Sequence, residues 1–373
     1  MVGQPCRRLF QIRYVTYGRM PVNDLSPRDR LLRVLARQRV DRPPVLCTGG
    51  MMNAAITEIV TTAGNTLPAA HTNPVMMAEL ASDVQQSTGF ENLGAPFCLT
   101  VEAEALGSTV DYGSDSSEPK VRKEAFDSIP SVPLGSFSFT SLLGTGRINT
   151  VAEAISRLNV RCPDLPVVGN ISGPVSTAAS FVEPAAFLKG LRKHRDAAHQ
   201  LLQHVTDFLI EYAHILCASG ATVITIGDPT ATGEILGPRL FAEFAVPYLN
   251  QLINGIRETG VPAIVHICGD ISSVWDQIPH LLSDTISTDA MVDLSALKRD
   301  YSHLITMGNV STFLLQFGNP GRVEARTAAL IRNGIDIISP ACGLSTSTAL
   351  DNIRALTATV KDLRPCTLLP QRA

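Results

Sequence analysis

Short apolar runs of strand length alternate with longer segments of helical periodicity along most of the chain. Several of the short runs are almost continuously apolar, as strands buried on both faces of a parallel sheet are. Eight runs have this character: residues 43–48, 92–98, 166–172, 221–228, 262–268, 285–289, 303–310 and 335–341. Eight strands that alternate with helices predict an α/β fold, a closed (β/α)8 TIM-type barrel rather than an open doubly wound sheet.

Helix signals frame this pattern at its start and in its middle. Ser26 and Pro27 form an N-cap followed by proline, and the leucines after them predict a lead-in helix to about Gln38. Residues 184–218 predict one long helix. Residues 107–161 fit the alternation poorly and are predicted to be an insertion or a long loop over the barrel mouth.

The two ends of the chain lack periodicity and divide it into three parts. Residues 1–24 are predicted to be a disordered N-terminal extension, or a stretch that lies upstream of the true start at Met20. Residues 25–365 are predicted to form the barrel domain, and residues 366–373 a C-terminal tail.

Composition narrows the class of protein. Apolar residues make up 45% and charged residues 17%, which is typical of a soluble protein with a large core. A net charge of -3 gives no general attraction for nucleic acid. Eight scattered cysteines indicate reduced thiols, and no apolar stretch has the length of a signal peptide or a membrane span. We therefore expect a cytoplasmic protein with no nucleic-acid or membrane partner.

Polar and reactive residues collect where the predicted strands end. In a barrel of this type the carboxyl ends of the strands open on the catalytic face. The residues concerned are Cys98, Ser172, Asp228, His266, Cys268, Asp289, Asn309 and Cys342.

Three of these residues predict a zinc site. Side chains alternate along a strand, so His266 and Cys268 point the same way, and Cys342 ends the eighth strand. One imidazole and two thiolates suit zinc and leave a fourth position open, as in catalytic sites. Packed core remains the alternative reading of these three residues. Asp289 is either a displaceable fourth ligand, a helix N-cap or a carboxylate that supports a ligand without touching the metal.

The remaining candidates have weaker patterns. Asp228 either binds substrate, orients a ligand imidazole or caps the helix that follows it. Cys98 is either a substrate contact or core filler, and His71 either contacts a cofactor or is exposed on a loop. Ser172 and Asn309 are substrate-binding candidates because they end strands.

At these residues the sequence resembles the methylcobamide:coenzyme M methyltransferases of the uroporphyrinogen decarboxylase superfamily. The resemblance covers about residues 25–363, and the family pattern of H-x-C followed by a distant Cys matches His266, Cys268 and Cys342. The stretches that carry it are residues 68–74, 95–107, 172–175, 266–269, 308–311 and 340–343.

The resemblance implies a TIM-type barrel, a bound Zn²⁺, a small thiol as methyl acceptor and methylcobalamin or a methylated corrinoid protein as the donor. The corrinoid protein would be a transient partner. The family has an acidic residue that can occupy the zinc, and here Asp289 stands in its place, which leaves the fourth ligand open.

Three alternatives stay open for the function. Tetrahydrofolate or homocysteine can replace the thiol acceptor with the same donor, and a zinc-stabilised corrinoid-binding module would have no turnover. Uroporphyrinogen decarboxylation is disfavoured, because the decarboxylases bind their polycarboxylate substrate through an Arg-rich segment and residues 47–53 contain no arginine.

Overall fold

The computed structural model describes residues 25–64, 66–135, 143–144 and 146–362. The predicted terminal segments 1–24 and 366–373 lie outside these residues. The strands of the described part are β1 (Leu93–Ala95), β2 (Thr109–Asp111), β3 (Lys120–Lys123), β4 (Val167–Ser172), β5 (Val223–Gly227), β6 (Ala263–Ile267), β7 (Thr285–Thr288) and β8 (Ile305–Met307). Six of them form one parallel sheet in the order β1-β4-β5-β6-β7-β8, and β2 pairs with β3 in an antiparallel hairpin.

Two further segments, the predicted first strand (residues 43–48) and eighth strand (residues 335–341), join the edges of this sheet and close the ring. Val45 forms a parallel bridge with Ile338, and Met307 of β8 forms one with Ile337. At the other edge the Glu91 amide donates to the Val45 carbonyl over 2.9 Å. Next to it the side chain of Asn92 takes the place of a backbone partner. The Cys47 amide donates to Asn92 Oδ1, and Asn92 Nδ2 donates to the Cys47 carbonyl, each over 2.8 Å. The predicted barrel is confirmed, and its first and eighth segments are held by isolated bridges and individual hydrogen bonds rather than by long strand pairings.

Helices follow the strands around the barrel. Those of the described part are α1 (Pro27–Leu35), α2 (Thr57–Ala63), α3 (Leu67–Ala70), α4 (Pro74–Thr88), α5 (Val101–Ala105), α6 (Arg147–Arg161), α7 (Pro174–Phe181), α8 (Pro184–Lys193), α9 (Arg195–Ala218), α10 (Gly233–Leu240), α11 (Val246–Glu258), α12 (Leu294–Asp300), α13 (Thr312–Phe317), α14 (Pro320–Arg332) and α15 (Leu350–Lys361). No helix among the described residues combines the length and the apolar character needed to cross a bilayer.

The lead-in helix α1 closes the amino-terminal end of the barrel. Ser26 caps it by accepting a hydrogen bond from the Asp29 amide over 3.1 Å. Leu31 packs in one buried cluster with residues from the starts of the strands, among them Val223 and Ile264. The helix ends earlier than predicted because Arg37 adopts a left-handed φ of 56°.

Two predictions about helices need correction. The single helix expected over residues 184–218 is two helices, α8 and α9, because His194 leaves helical geometry with φ −129° and ψ 52°. Residues 107–161 are not all insertion, since α6 is one of the barrel helices and buries Ile148, Val151 and Ile155.

The remaining insertion carries the β2–β3 hairpin, and its tip lies at the barrel mouth. Thr57 donates to the Asp115 carbonyl over 3.1 Å, and Thr346 donates to the Ser116 carbonyl over 2.8 Å. Thr57 and Thr346 follow the first and eighth strand segments, so the hairpin rests on loops of the carboxyl-terminal face. The expected loop over the mouth is therefore present as a strand hairpin.

Candidate metal centre

Three side chains from two distant parts of the chain converge at the barrel mouth. His266 is the fourth residue of β6, Cys268 follows directly after that strand, and Cys342 follows the eighth strand segment. The His266 Nε2 lies 3.1 Å from the Cys268 Sγ, which lies 3.4 Å from the Cys342 Sγ. All three donor atoms lie within 4.8 Å of one another. The structure thus brings together the three predicted ligands.

A neighbouring strand fixes the imidazole of His266. The register pairs His266 with Ser287 of β7, and the Nδ1 lies 3.0 Å from the Ser287 Oγ. When the Ser287 hydroxyl accepts a hydrogen bond from the Nδ1–H, the proton stays on Nδ1. The Nε2 lone pair then faces the thiols. His266 is 1% exposed, so the ring has little freedom to turn elsewhere.

The two thiols affect each other's pKa, because their sulfurs lie 3.4 Å apart. The hydrogen bond from Cys268 holds the pKa of Cys342 well below its usual range against the effect of burial, and His266 lowers it further. The same hydrogen bond, together with burial and the charges of Cys342, Asp289 and Asp228, raises the pKa of Cys268. A cation at this position relieves the repulsion that loss of the second proton would create.

The donor set and its spacing fit zinc. Ligands at about 2.3 Å for sulfur and 2.0–2.1 Å for nitrogen stand about 3.5–3.8 Å apart in a tetrahedron. The observed spacings of 3.1 and 3.4 Å are a few tenths of an ångström shorter, so small side-chain shifts would admit the ion. The three residues would supply three of the four ligands of such an ion.

Two carboxylates lie near this centre. Asp289 directly follows β7, and its charge raises the pKa of Cys268. Its oxygens lie outside the three-donor cluster, and its Oδ1 accepts a hydrogen bond from the Met291 amide over 3.3 Å. Glu118 of the hairpin insertion has its pKa raised to about 7 by burial and by the charge of Cys342, against a hydrogen bond from Asn53. The sequence pattern pointed to Asp289 but gave no signal for Glu118.

The carboxylate of Asp228 binds the first turn of α7. Its carboxylate accepts from the Ser176 hydroxyl over 2.6 Å and from the Ser176 and Val175 amides over 2.8 and 3.2 Å. Burial raises its pKa to about 6, and these hydrogen bonds oppose that rise. Gly173 is needed here, because a Cβ would lie 2.4 Å from the Asp228 Oδ2. Asp228 therefore caps a helix, but it is α7, which precedes it in the chain, and not the helix that follows its own strand. Binding of substrate by Asp228 stays a prediction.

Cys98 and His71 belong to a second buried polar group, gathered around Arg147 of α6. The Cys98 Sγ accepts from the Arg147 guanidinium over 3.2 Å, and the guanidinium also pairs with Glu104. His71 is fully buried rather than exposed, and burial together with Arg147 lowers its pKa to about 3. Neither nitrogen of the His71 ring has a hydrogen-bond partner among the described residues.

Ser172 and Asn309 hold neighbouring loops. The Ser172 amide donates to Glu102 over 2.7 Å, which ties the end of β4 to α5. Asn309 is fully buried and donates to the carbonyls of Asp289 and Val292, both over 2.8 Å. Their roles in substrate binding stay predictions, since these side chains already have protein partners.

Family comparison agrees with this arrangement. Residues 26–363 match the family model described as uroporphyrinogen decarboxylase (URO-D). The chain is 30% identical to the methylcobamide:CoM methyltransferase MtaA of Methanosarcina barkeri strain Fusaro, over 90% of this chain and 98% of that protein. It is 28% identical to a uroporphyrinogen decarboxylase of Myxococcus xanthus over 70% of this chain and 74% of that protein.

A solved structure extends the comparison to the fold. A methyltransferase from Methanosarcina mazei superimposes with a TM-score of 0.84 at 29% identity, over 91% of this chain and 99% of that one. The chain belongs to the uroporphyrinogen decarboxylase superfamily and, within it, to the methylcobamide:CoM methyltransferase family, and it is an enzyme of the methyltransferase type.

Proposed function

We propose that this enzyme transfers a methyl group from a methylated corrinoid to a small thiol of the coenzyme M type, with zinc held by His266, Cys268 and Cys342. The observation that carries the proposal is the convergence of one imidazole and two thiols at the barrel mouth, with donor atoms within 4.8 Å. Relatives named methylcobamide:CoM methyltransferases support the choice of donor and acceptor. Asp289 is our candidate for the fourth ligand before the thiol arrives.

Zinc at this site would supply a positive charge that lowers the pKa of the incoming thiol and so yields the thiolate at neutral pH. The chain's own residues keep that sulfur nucleophilic. Cys268 and Cys342 bring two negative charges, which offset the ion's charge and leave electron density on a third sulfur. His266 completes the set as a neutral donor held by Ser287.

The transfer balances without an added oxidant or reductant. The thiolate sulfur forms a bond to the methyl carbon as the cobalt–carbon bond breaks, and the electron pair of that bond stays on cobalt, which leaves as Co(I). The proton lost by the thiol passes to solvent or buffer. Burial of His266 and the partial burial of both cysteines help to exclude water from the reacting sulfur.

The corrinoid reaches the thiol through the carboxyl-terminal face, since the three donors lie at that end of the strands. A protein that carries the corrinoid would therefore approach the mouth between the hairpin insertion and the loops after β6, β7 and β8. We infer a transient complex, because the donor must leave again to be methylated.

Decarboxylation of uroporphyrinogen is the less favoured function. Residues 47–53 line the mouth, where the Met51 carbonyl would lie 2.8 Å from a Cβ on Gly343, and they carry no cation for a polycarboxylate substrate. Arg147, the buried arginine beside the loop after β1, is paired with Glu104.

Methyl transfer from methylcobalamin tests the proposal. The purified enzyme, incubated with methylcobalamin and 2-mercaptoethanesulfonate, should produce the spectral change of corrinoid demethylation and the methyl thioether. The rate should fall on removal of zinc and return when zinc is restored. Homocysteine, tetrahydrofolate and uroporphyrinogen serve as competing substrates in parallel reactions.

Each result has a defined meaning. Turnover with homocysteine or tetrahydrofolate alone would keep the chemistry and overturn the acceptor, and carbon dioxide from uroporphyrinogen would overturn the proposal. Zinc binding without any turnover would indicate a binding module. Thiol binding should also release about one proton near neutral pH, which calorimetry in buffers of different ionisation enthalpy measures.

A further inference from the structure

Asn309 connects the two sides of the metal centre. Its backbone neighbours lie against the eighth strand segment, where the Val310 amide donates to the Ser339 carbonyl over 3.0 Å and the Ala341 amide donates to the Val310 carbonyl over 2.9 Å. Cys342 follows Ala341 directly. The Asn309 side chain points in the opposite direction, to the turn that begins at Asp289.

That turn is held at both ends by one amide group. Asn309 Nδ2 donates to the Asp289 carbonyl and to the Val292 carbonyl, each over 2.8 Å. Within the turn the Val292 amide donates to the Asp289 carbonyl over 3.2 Å. Loss of the Asn309 side chain would leave both carbonyls without this donor, and the turn would gain freedom.

An arginine on the outer helix α14 fixes which way the amide faces. Arg326 Nη2 donates to Asn309 Oδ1 over 3.1 Å, and a guanidinium can only donate. The oxygen of the amide must therefore face Arg326, and the NH2 group must face the two carbonyls. Arg326 contributes to the turn without touching it.

The turn that Asn309 holds begins at Asp289, the candidate for the fourth ligand of the proposed metal site. Asp289 lies beside Cys268, because the two residues directly follow Thr288 and Ile267, which are paired in the parallel register of β7 and β6. Its Oδ1 accepts a hydrogen bond from the Met291 amide. With the backbone of this turn held, we expect the carboxylate to need only side-chain rotation to reach a metal on the three donors. A free turn would have to be ordered first, and that ordering would weaken the carboxylate as a competitor of the thiol.

We propose that Asn309, oriented by Arg326, is a positioning residue that sets how strongly Asp289 competes with the thiol substrate for the metal. This inference rests on the proposed function, since it needs a metal on His266, Cys268 and Cys342. It assigns Asn309 to the regulation of thiol affinity, in place of the direct substrate contact that the sequence suggested.

Thiol titration of the cobalt(II)-substituted enzyme tests this role, because the cobalt absorption spectrum reports the ligand in the fourth position. Asn309→Ala should alter the resting spectrum and tighten 2-mercaptoethanesulfonate binding by up to about tenfold, as the competing carboxylate occupies the metal less often. Arg326→Met should shift affinity in the same direction by a smaller factor, and Arg326→Lys should restore part of it. Asn319→Ala is the matched control, because Asn319 caps the same helix α14 through the Arg322 amide.

A double-mutant cycle shows whether the effect passes through Asp289. In an Asp289→Ala background, Asn309→Ala should change neither the spectrum nor thiol affinity. An equal effect in both backgrounds, or no effect of Asn309→Ala and Arg326→Met on wild type, overturns the inference. If Asn309→Ala fails to fold, Arg326→Met carries the same test.

The controls separate this inference from the function beneath it. Wild-type enzyme that takes up no cobalt or zinc overturns the proposed function, and this inference with it. Metal uptake and methyl transfer by the wild type, with thiol affinity unmoved in both variants, overturns only the role of Asn309.

Discussion

The two ends of the barrel treat charge in opposite ways. At the amino-terminal end, Arg30 pairs with Asp41 and Glu91 at 2.8 Å, and Arg42 pairs with Glu91 at 2.6 Å. At the carboxyl-terminal end, acidic groups crowd together, so that Asp289 and Asp228 raise the pKa of Cys268, and Cys342 raises that of Glu118. One end neutralises its own charges, and the other gathers negative charge that a cation would compensate. The first arrangement links the residues around the lead-in helix, and the second suits the metal site that we propose.

The largest effect should come from removing a donor at the mouth. Cys342→Ala should lower zinc affinity by at least about 100-fold, more than loss of a residue that only supports a ligand, because one of three ligands is gone. Elemental analysis of the purified protein measures the zinc per chain. Cys217→Ala on α9 is the matched control, and full zinc retention in Cys342→Ala would sink the site.

The converse change at the amino-terminal end should reduce stability and spare the metal. Glu91→Gln leaves Arg30 and Arg42 buried with one carboxylate fewer, which should lower the free energy of unfolding by about 3–5 kcal/mol. Urea denaturation measures it, and zinc per folded chain should not change. Glu153→Gln breaks an exposed pair with Arg157 and should cost less than about 1 kcal/mol. Equal losses in both variants would show that the buried network has no special role.

A smaller effect on the metal is expected from the residue that holds His266. Ser287→Ala removes the partner of Nδ1 and should weaken zinc binding by about 10–100-fold, because the imidazole is no longer fixed in one orientation. Competition with a chelator measures the affinity. Thr285→Val is the control, since Thr285 lies in the same strand, is buried and has a hydroxyl with no partner among the described residues. If the two variants bind zinc equally well, Ser287 has no supporting role.

The smallest effect is expected at the fourth position. Asp289→Asn should leave zinc bound, since three ligands remain, and should change thiol affinity by less than about tenfold because an amide is a poorer competitor than a carboxylate. X-ray absorption of the resting enzyme should show one oxygen neighbour fewer. An unchanged coordination shell would identify Asp289 as a cap of its turn.

The sequence predicted the barrel and the converging donors because both depend on short-range patterns. Alternation along β6 places His266 and Cys268 on the same side, and apolar runs mark strand ends. Ser287 was missed because its role depends on the register between β6 and β7. The alternation of residues within each strand does not determine that register. Glu118 was missed because its hairpin has no fixed place in the βα alternation. The break at His194 was missed since helical periodicity continues on both sides of it.

The seam of the ring has a consequence for synthesis of the enzyme. The paired residues Val45 and Ile338 are separated in sequence by nearly the whole barrel domain. The ring therefore cannot close until the eighth strand segment has left the ribosome. Cys342 emerges 74 residues after Cys268, an interval of roughly 4 to 15 s at ordinary rates of translation. During that interval the nascent chain offers only an imidazole and one thiol, which form an incomplete and less selective set. The complete donor set of the proposed metal site therefore exists only after residue 342 has emerged.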